Sequence, residues 1–240
     1  MSLGNALGYL TILPFPYKKR TPLLCSLHFF PLVGAGLGSL AVLFFLGVKH
    51  YVPDAVACFL TVVGLEILYG GAPLHGVAEM AQGRRTFPGH GFDPGFKLEA
   101  SGFLAVLAML VVKTASLAIL PREWQPHAVF VFPILGRCAQ TFAFVLSPYR
   151  LPSPLSRDHS IARRRVRAGL LSATLLLLLF LFPMRAAIPA LLLFALIAVW
   201  GLQLCNKRFQ GLTLQTVSLL SELSETAVLA LLAAISFAIR

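Results

Sequence analysis

The sequence has few charged residues, and acidic residues are the scarcest of them. Of 240 residues, 12% are charged and only 9 are Asp or Glu, whereas 58% are hydrophobic. A water-soluble domain needs a much larger charged fraction to cover its surface, so that class of protein is excluded. The surplus apolar surface must face lipid. The sequence therefore predicts an all-α fold, a polytopic transmembrane helical bundle in a lipid bilayer.

Cysteine is also scarce, which limits the metal and disulfide chemistry of the chain. The four cysteines, Cys25, Cys58, Cys138 and Cys205, lie in or beside apolar segments and lack the paired spacing of a zinc site. Buried, reduced thiols are the ordinary interpretation of such residues. The sequence therefore indicates neither a disulfide scaffold nor a zinc-binding motif.

Long apolar runs are abundant by contrast. A helix needs about 20 apolar residues to cross the hydrocarbon core, and about seven segments approach that length. The predicted spans are Phe29 to Val48, Ala55 to Ala72, Gly102 to Leu120, Ala128 to Leu146, Ala168 to Phe182, Ala186 to Leu204 and Thr226 to Ile239. Leu3 to Leu13 is predicted as a short amphipathic helix, and residues 1–240 as a single integral membrane domain.

The basic residues are distributed unevenly between the predicted loops. The net charge is +11, and 14 of the 20 Lys and Arg residues fall on the side of the membrane that holds the N-terminus. Because short loops rich in Lys and Arg stay in the cytoplasm, the N-terminus is predicted to lie inside. We interpret the cluster from Arg163 to Arg167 as a retention signal beside anionic lipid headgroups. Nucleic acid is not an expected partner, since no aromatic residues are interleaved with the basic ones.

Three charged residues fall inside predicted spans, namely Glu66, Lys113 and Arg137. A charge at this depth is costly, so each is expected to pair with another charge or to line a polar cavity. Glu66 could pair with either Lys113 or Arg137, and the sequence does not choose between them.

Two further polar segments are candidates for a site. A helix from Leu74 to Gln82 would place His75 and Glu79 on one face, a spacing that suits either a metal site or a simple surface pair. Near the C-terminus, Glu222 and Glu225 share a helix face at the predicted membrane boundary. Two acids there are more readily explained by a cavity than by lipid.

Several segments resemble a known family in the correct order along the chain. The run GGAPLHGVAEMAQG at Gly70 to Gly83 resembles the signature G-G-x-H-L-D-G-L-A-D-x-x-D-G of cobalamin synthase, adenosylcobinamide-GDP ribazoletransferase. HFFPLVGAGLGSL at His28 to Leu40 resembles its first span, F-P-L-V-G-x-x-x-G. QGLTLQTVSLLSELSE at Gln210 to Glu225 resembles G-G-x-T-G-D-x-L-G-A-x-x-E-L-x-E. The resemblance covers nearly the whole chain.

The resemblance implies a transferase of late cobalamin (vitamin B12) biosynthesis in the bacterial or archaeal cytoplasmic (inner) membrane. Family members join α-ribazole, or its 5′-phosphate, to adenosylcobinamide-GDP, release GMP and use Mg²⁺. Three groups of site residues are implied: Lys97 and Arg137 as catalytic residues that counter phosphate charge; His75, Gln82, Arg84, Lys113 and Gln215 as substrate-binding residues; and Glu79, Asp93, Glu222 and Glu225 as metal ligands.

The sequence departs from the signature where the family has acidic residues. His75, Glu79 and Gln82 stand in place of three aspartates, and Pro73 in place of a histidine. Two alternatives to a divergent active transferase follow. One is a non-catalytic paralogue that binds the corrinoid or assembles other cobalamin enzymes at the membrane. The other is a small membrane transporter whose three intramembrane charges line the path.

Overall fold

The chain folds into helices in every part that the structure describes. The computed structural model describes residues 3–14, 26–83, 97–146, 159–209 and 213–239. Its α-helices are α1 (Leu3–Leu10), α2 (Phe30–Lys49), α3 (Asp54–Leu68), α4 (Ala72–Ala81), α5 (Ala100–Ile119), α6 (Trp124–Leu146), α7 (His159–Leu176), α8 (Met184–Phe209) and α9 (Leu214–Ile239). Short 3₁₀ turns precede α2 at Leu27–Phe29 and follow α7 at Leu177–Leu181. The predicted all-α fold is confirmed.

Helix length gives five or six membrane spans, where the sequence predicted about seven. Five helices of the described residues, α2, α5, α6, α8 and α9, are long and apolar enough to cross a bilayer. The predicted span Ala55 to Ala72 is instead the pair α3 and α4, which is bent by 91° and counts as a sixth candidate. The predicted span Ala168 to Phe182 lies in a shorter apolar helical segment, Val166–Leu181.

The bend between α3 and α4 is made by two adjacent glycines. Gly70 and Gly71 both have φ of 67°, a left-handed conformation that is open to glycine and strained for most other residues. The N–H of Gly71 donates to the carbonyl of Glu66 at 2.9 Å, which closes the end of α3. The N–H of Ile12 donates to the carbonyl of Leu68, so the segment after α1 lies against the bend. Helix α4 consequently runs across the bundle.

Helix α6 lies at the centre of the bundle, and α2 packs closely against it. A methyl group on Gly38 would overlap the carbonyl oxygen of Phe130, and one on Gly34 would lie 3.0 Å from the carbonyl oxygen of Pro133. Small residues four apart allow this kind of contact between membrane helices. In the membrane-length part of α6, 78% of residues are buried, against 22% in α5.

Helix α9 begins at Leu214, well before the predicted start at Thr226. It packs against α4, α5, α6 and α8. Glu222 and Glu225 are therefore fully buried residues within the candidate span Gln215–Ala238. Exposed apolar side chains cover much of the outer surface of the bundle, as a lipid-facing surface requires, including Leu40, Leu43, Leu104, Leu192 and Leu196.

Candidate functional site

Four charged side chains from three helices meet in the interior of the bundle. The ammonium of Lys113 on α5 donates to Glu66 Oε1 on α3 at 3.1 Å, and on α9 to Glu222 Oε2 at 2.7 Å and Glu225 Oε2 at 2.9 Å. All four side chains are at most 5% exposed. We call these four residues the Lys113 cluster. It resolves the open pairing of the sequence prediction, because Glu66 pairs with Lys113.

The Lys113 cluster uses every donor of its ammonium and leaves carboxylate oxygens over. An ammonium has three N–H donors, and each goes to a different carboxylate. Burial of charges is tolerated when they are paired and hydrogen-bonded in this way. Glu66 Oε2, Glu222 Oε1 and Glu225 Oε1 make no hydrogen bond within the described residues. With three acids to one base, the cluster retains capacity for a further donor.

A glycine on α6 makes room for one of these carboxylates. A methyl group on Gly136 would overlap Glu225 Oε1 and would lie 2.5 Å from Ser221 Oγ. Because Glu222 and Glu225 are three residues apart, they lie on one face of α9, and that face is pressed between α5 and α6. Gly136 is thus needed at this position for the side chain of Glu225 to reach Lys113.

The same geometry tests whether the cluster fits Mg²⁺. Carboxylate oxygens of Glu66, Glu222 and Glu225 lie within 4.8 Å of one another, and such a donor set suits a hard divalent cation. The ammonium of Lys113, however, is already bonded to all three. Mg²⁺ needs oxygen ligands at about 2.0–2.1 Å in octahedral geometry and is repelled by a neighbouring cation. As arranged, the cluster does not fit Mg²⁺ at its centre, because Lys113 is the cation there.

The predicted helix that bears His75 and Glu79 is confirmed as α4, and it forms a second polar region. His75 Nδ1 lies 3.5 Å from Glu79 Oε1, and Glu79 is buried at 2% exposure. Gln82 Nε2 donates to the main-chain carbonyl of Lys97 at 3.1 Å, whereas the Lys97 side chain is exposed. Among the described residues, Glu79 does not belong to a cluster of three potential metal ligands.

Helices α4 and α9 touch through Gly76. A methyl group on Gly76 would lie 2.7 Å from the carbonyl oxygen of Gln215 and 2.8 Å from Ser218 Cβ. Gln215 is fully buried in the first turn of α9. The signature helix and the C-terminal segment of the resemblance are therefore direct neighbours, which the sequence alone did not indicate.

Arg137 is buried beside a cavity of about 70 Å³ and makes no ion pair with the acids of the Lys113 cluster within 4.0 Å among the described residues. Its Nη1 donates to Gln140 Oε1 at 3.0 Å and its Nη2 to the carbonyl of Leu10 at 3.3 Å. Its guanidinium carbon lies 4.3 Å from the centre of the Tyr69 ring. The predicted catalytic pair is thus a buried arginine and an exposed lysine, Lys97.

The structure brings together some of the predicted site residues and leaves others outside. Lys113 joins Glu222 and Glu225, and His75 joins Glu79. Arg84 and Asp93 lie outside the described residues. The sequence interpretation omitted Glu66 and Gly136 from the site. The sequence offered one signal for each. A buried Lys113 needs acidic partners, which pointed to Glu66, and Gly136 directly precedes Arg137.

Comparisons with known proteins identify the family. The family profile described as Cobalamin-5-phosphate synthase matches residues 2–233. An adenosylcobinamide-GDP ribazoletransferase of Roseiflexus sp. is 28% identical over 96% of this chain and 88% of its own length. Proteins of the same name from Desulforamulus reducens and Stutzerimonas stutzeri are 29% identical (96% of this chain, 95% of theirs) and 31% identical (85% and 84%). No solved structure matches.

These matches cover nearly the whole chain and bear out the resemblance found in the sequence. They favour a transferase of cobalamin biosynthesis over the non-catalytic paralogue and the transporter. The apolar helices agree with a multi-pass membrane protein. The chain belongs to the cobalamin-5-phosphate synthase family.

Proposed function

We propose that this protein is an adenosylcobinamide-GDP ribazoletransferase, which joins α-ribazole or its 5′-phosphate to adenosylcobinamide-GDP and releases GMP. The observation that supports it is the assembly of signature segments. Helices α4, α5, α6 and α9, which hold the resembling polar residues, pack on one another in an otherwise apolar bundle. A scatter of these residues over the lipid-facing surface would have opposed the proposal.

The proposed reaction is a phosphoryl-type transfer, in which the protein acts chiefly by positioning the reactants and by stabilising the charge of the transition state. A ribazole hydroxyl forms a bond to a phosphorus of the diphosphate, the hydroxyl proton is released, and the bond to GMP breaks. Arg137 is the buried cation available to offset negative charge on the phosphate oxygens. The Lys113 cluster fixes α3, α5 and α9 relative to one another and so holds the walls of the site in place.

Mg²⁺ is part of the proposal, but at α4 and not at the Lys113 cluster. Mg²⁺ is commonly held by one or two carboxylates together with substrate phosphates and water. Glu79 on α4 is a buried carboxylate, and Asp93 is an acidic residue of the following segment, so these two are the proposed ligands. When bound, the ion would neutralise diphosphate charge. Glu222 and Glu225, expected as metal ligands, are assigned here to the ion network of Lys113.

The test is GMP release by the protein purified in lipid, with adenosylcobinamide-GDP, Mg²⁺ and either α-ribazole or its 5′-phosphate. Turnover that is abolished by a chelator and restored by Mg²⁺ is expected. Glu79→Gln is the test variant. Asp54→Asn is its matched control, because Asp54 pairs with Arg122 and Lys49 at the other end of the bundle. Corrinoid binding without turnover would instead indicate a non-catalytic paralogue.

The membrane location and orientation are proposed as well. The excess of basic residues on one side supports a cytoplasmic membrane protein of a bacterium or archaeon with its N-terminus inside. Reporter fusions in the loop after Lys49 and in segment 84–96 should report opposite sides of the membrane. Equal reporter activity at both positions would contradict this topology. Association with other enzymes of cobalamin assembly stays a prediction, which co-purification would test.

A further inference from the structure

A larger cavity, of about 430 Å³, lies where α3 bends into α4. Val63, Glu66 and Ile67, which share one face of α3, line it together with Leu110 of α5. The bend leaves space there because it is made of glycines, and a methyl group on Gly71 would meet no other atom within 4 Å. Cavities that bind small ligands usually have volumes of about 300–1,000 Å³ and mostly apolar walls. This cavity meets both conditions.

The rim of the cavity is apolar and exposed. Ile12 and Ile67, which line it, are 58% and 60% exposed. Helices α3 and α4 together form a candidate membrane span, so the exposed apolar side chain of Ile67 faces lipid. An apolar ligand can therefore enter the cavity from the bilayer.

Among the described residues that line the cavity, Glu66 has the only polar side chain. It is 5% exposed, and its Oε1 accepts a hydrogen bond from Lys113 at 3.1 Å. Its Oε2 makes no hydrogen bond within the described part of the chain. A buried carboxyl oxygen without a partner is costly, so the cavity favours a ligand with a polar atom that can form a hydrogen bond with Oε2. The acyl chain of a phospholipid has no such atom.

We propose that this cavity binds the base of α-ribazole, with Glu66 Oε2 in a hydrogen bond with the ring nitrogen. The choice of ligand rests on the proposed function. That base, 5,6-dimethylbenzimidazole, is a flat apolar bicycle which, within the nucleoside, has one nitrogen free to form a hydrogen bond. It therefore matches apolar walls that contain a single carboxyl group. A carboxyl group and a ring nitrogen can form this bond with the proton on either partner.

The position of the cavity suits the proposed transfer. Gly70, which lines it, directly follows Tyr69, and the centre of the Tyr69 ring lies 4.3 Å from the guanidinium carbon of Arg137. The base would thus bind next to the residue that packs on Arg137, the cation proposed to offset phosphate charge.

Titration calorimetry in lipid nanodiscs tests the assignment, with empty nanodiscs as the reference for partition into lipid. The ligands are α-ribazole, 5,6-dimethylbenzimidazole and 5,6-dimethylindane, which has a similar shape but no nitrogen. Leu110→Trp is the test variant, because the larger side chain would occupy part of the cavity. Leu107→Trp is the matched control, because Leu107 lies on the same helix, is 45% exposed and does not line the cavity.

We expect Leu110→Trp to weaken binding of α-ribazole by about 10-fold or more, and Leu107→Trp to weaken it by less than about 2-fold. The wild-type protein should bind 5,6-dimethylbenzimidazole about 10-fold more tightly than 5,6-dimethylindane, because only the former can pair with Glu66. Equal binding of these two ligands, a measurement that needs no variant, would overturn the proposal. Unchanged α-ribazole binding by folded Leu110→Trp would overturn it as well. So would a phospholipid that co-purifies with the wild type, is lost in Leu110→Trp and is not displaced by α-ribazole.

Failure of this inference can be distinguished from failure of the proposed function, because the binding measurements need no turnover. A protein that binds the base in this cavity but releases no GMP would count against the proposed function alone. A protein that releases GMP with the same KM for α-ribazole in Leu110→Trp as in the wild type would count against the assignment of the cavity alone.

Discussion

Replacement of Gly136 by alanine should loosen the Lys113 cluster. The added methyl group would overlap Glu225 Oε1 and would lie 2.5 Å from Ser221 Oγ and 2.8 Å from Glu225 Cδ. Since Lys113 holds the same carboxylate at 2.9 Å, the methyl group can be accommodated only if Glu225 moves away from the ammonium or α6 moves away from α9. Either shift weakens a buried and hydrogen-bonded charge.

The expected loss of unfolding free energy is about 1–3 kcal/mol, the usual cost of an overpacked methyl group in a well-packed core. The higher helix propensity of alanine offsets up to about 1 kcal/mol of this loss of unfolding free energy. Gly36→Ala is the matched control, because a methyl group on Gly36 would have no neighbour within 4 Å. That variant should be neutral or slightly more stable.

Equilibrium unfolding in mixed detergent micelles measures these differences, and a double-mutant cycle isolates the cause. In a Glu225→Ala background the overlapping carboxylate is absent, so Gly136→Ala should cost at least about 1 kcal/mol less there than in the wild type. Additivity of the two substitutions within about 0.5 kcal/mol would refute the reasoning. A Gly136→Ala protein as stable as the Gly36→Ala protein would refute it equally.

Three other predictions concern the ion network, the α2–α6 contact and the metal. Lys113→Met should lower the unfolding free energy by about 3–5 kcal/mol in the same assay, because it leaves buried carboxylates without a cation. Lys49→Met should lower it by less than about 1 kcal/mol. Equal losses would contradict the assignment of Lys113 to a buried ion network. Gly38→Ala should destabilise the protein by about 1–3 kcal/mol, since the methyl group would overlap a backbone carbonyl that cannot rotate away; a neutral result would mean that α2 and α6 lie farther apart. Glu79→Gln should raise the Mg²⁺ concentration needed for half-maximal GMP release by about 10-fold or more; an unchanged Mg²⁺ dependence would remove Glu79 from the metal site.

Sequence reasoning located the main helices well where apolar length decides the outcome. The predicted span Phe29 to Val48 corresponds to α2 at Phe30–Lys49, and Gly102 to Leu120 corresponds to α5 at Ala100–Ile119. The start of α9 was placed too late for a physical reason. Its first turns are rich in polar residues, which resemble a loop in sequence, yet these residues face other helices and not water.

The site was less predictable, because the contacts within it depend on how each helix is rotated about its axis. The sequence indicated that Lys113 needed partners and that Glu222 and Glu225 shared a face. It contained no information on whether a metal or an ammonium would lie between those two acids. The answer depends on how closely α9 approaches its neighbours, and Gly136 on α6 makes room there for the side chain of Glu225.

The Lys113 cluster also constrains the order in which the protein can be built in the membrane. A lysine at the centre of a span opposes insertion by about 2.5–3.5 kcal/mol on translocon scales. When α5 is synthesised, Glu66 already exists 47 residues upstream, but Glu222 lies 109 residues downstream. At about 5–20 residues per second, roughly 5–20 s pass before the second acid can reach the lysine. During that interval Glu66 alone among the cluster acids can accompany Lys113 into the bilayer, which gives this carboxylate a role in biogenesis before the mature site exists.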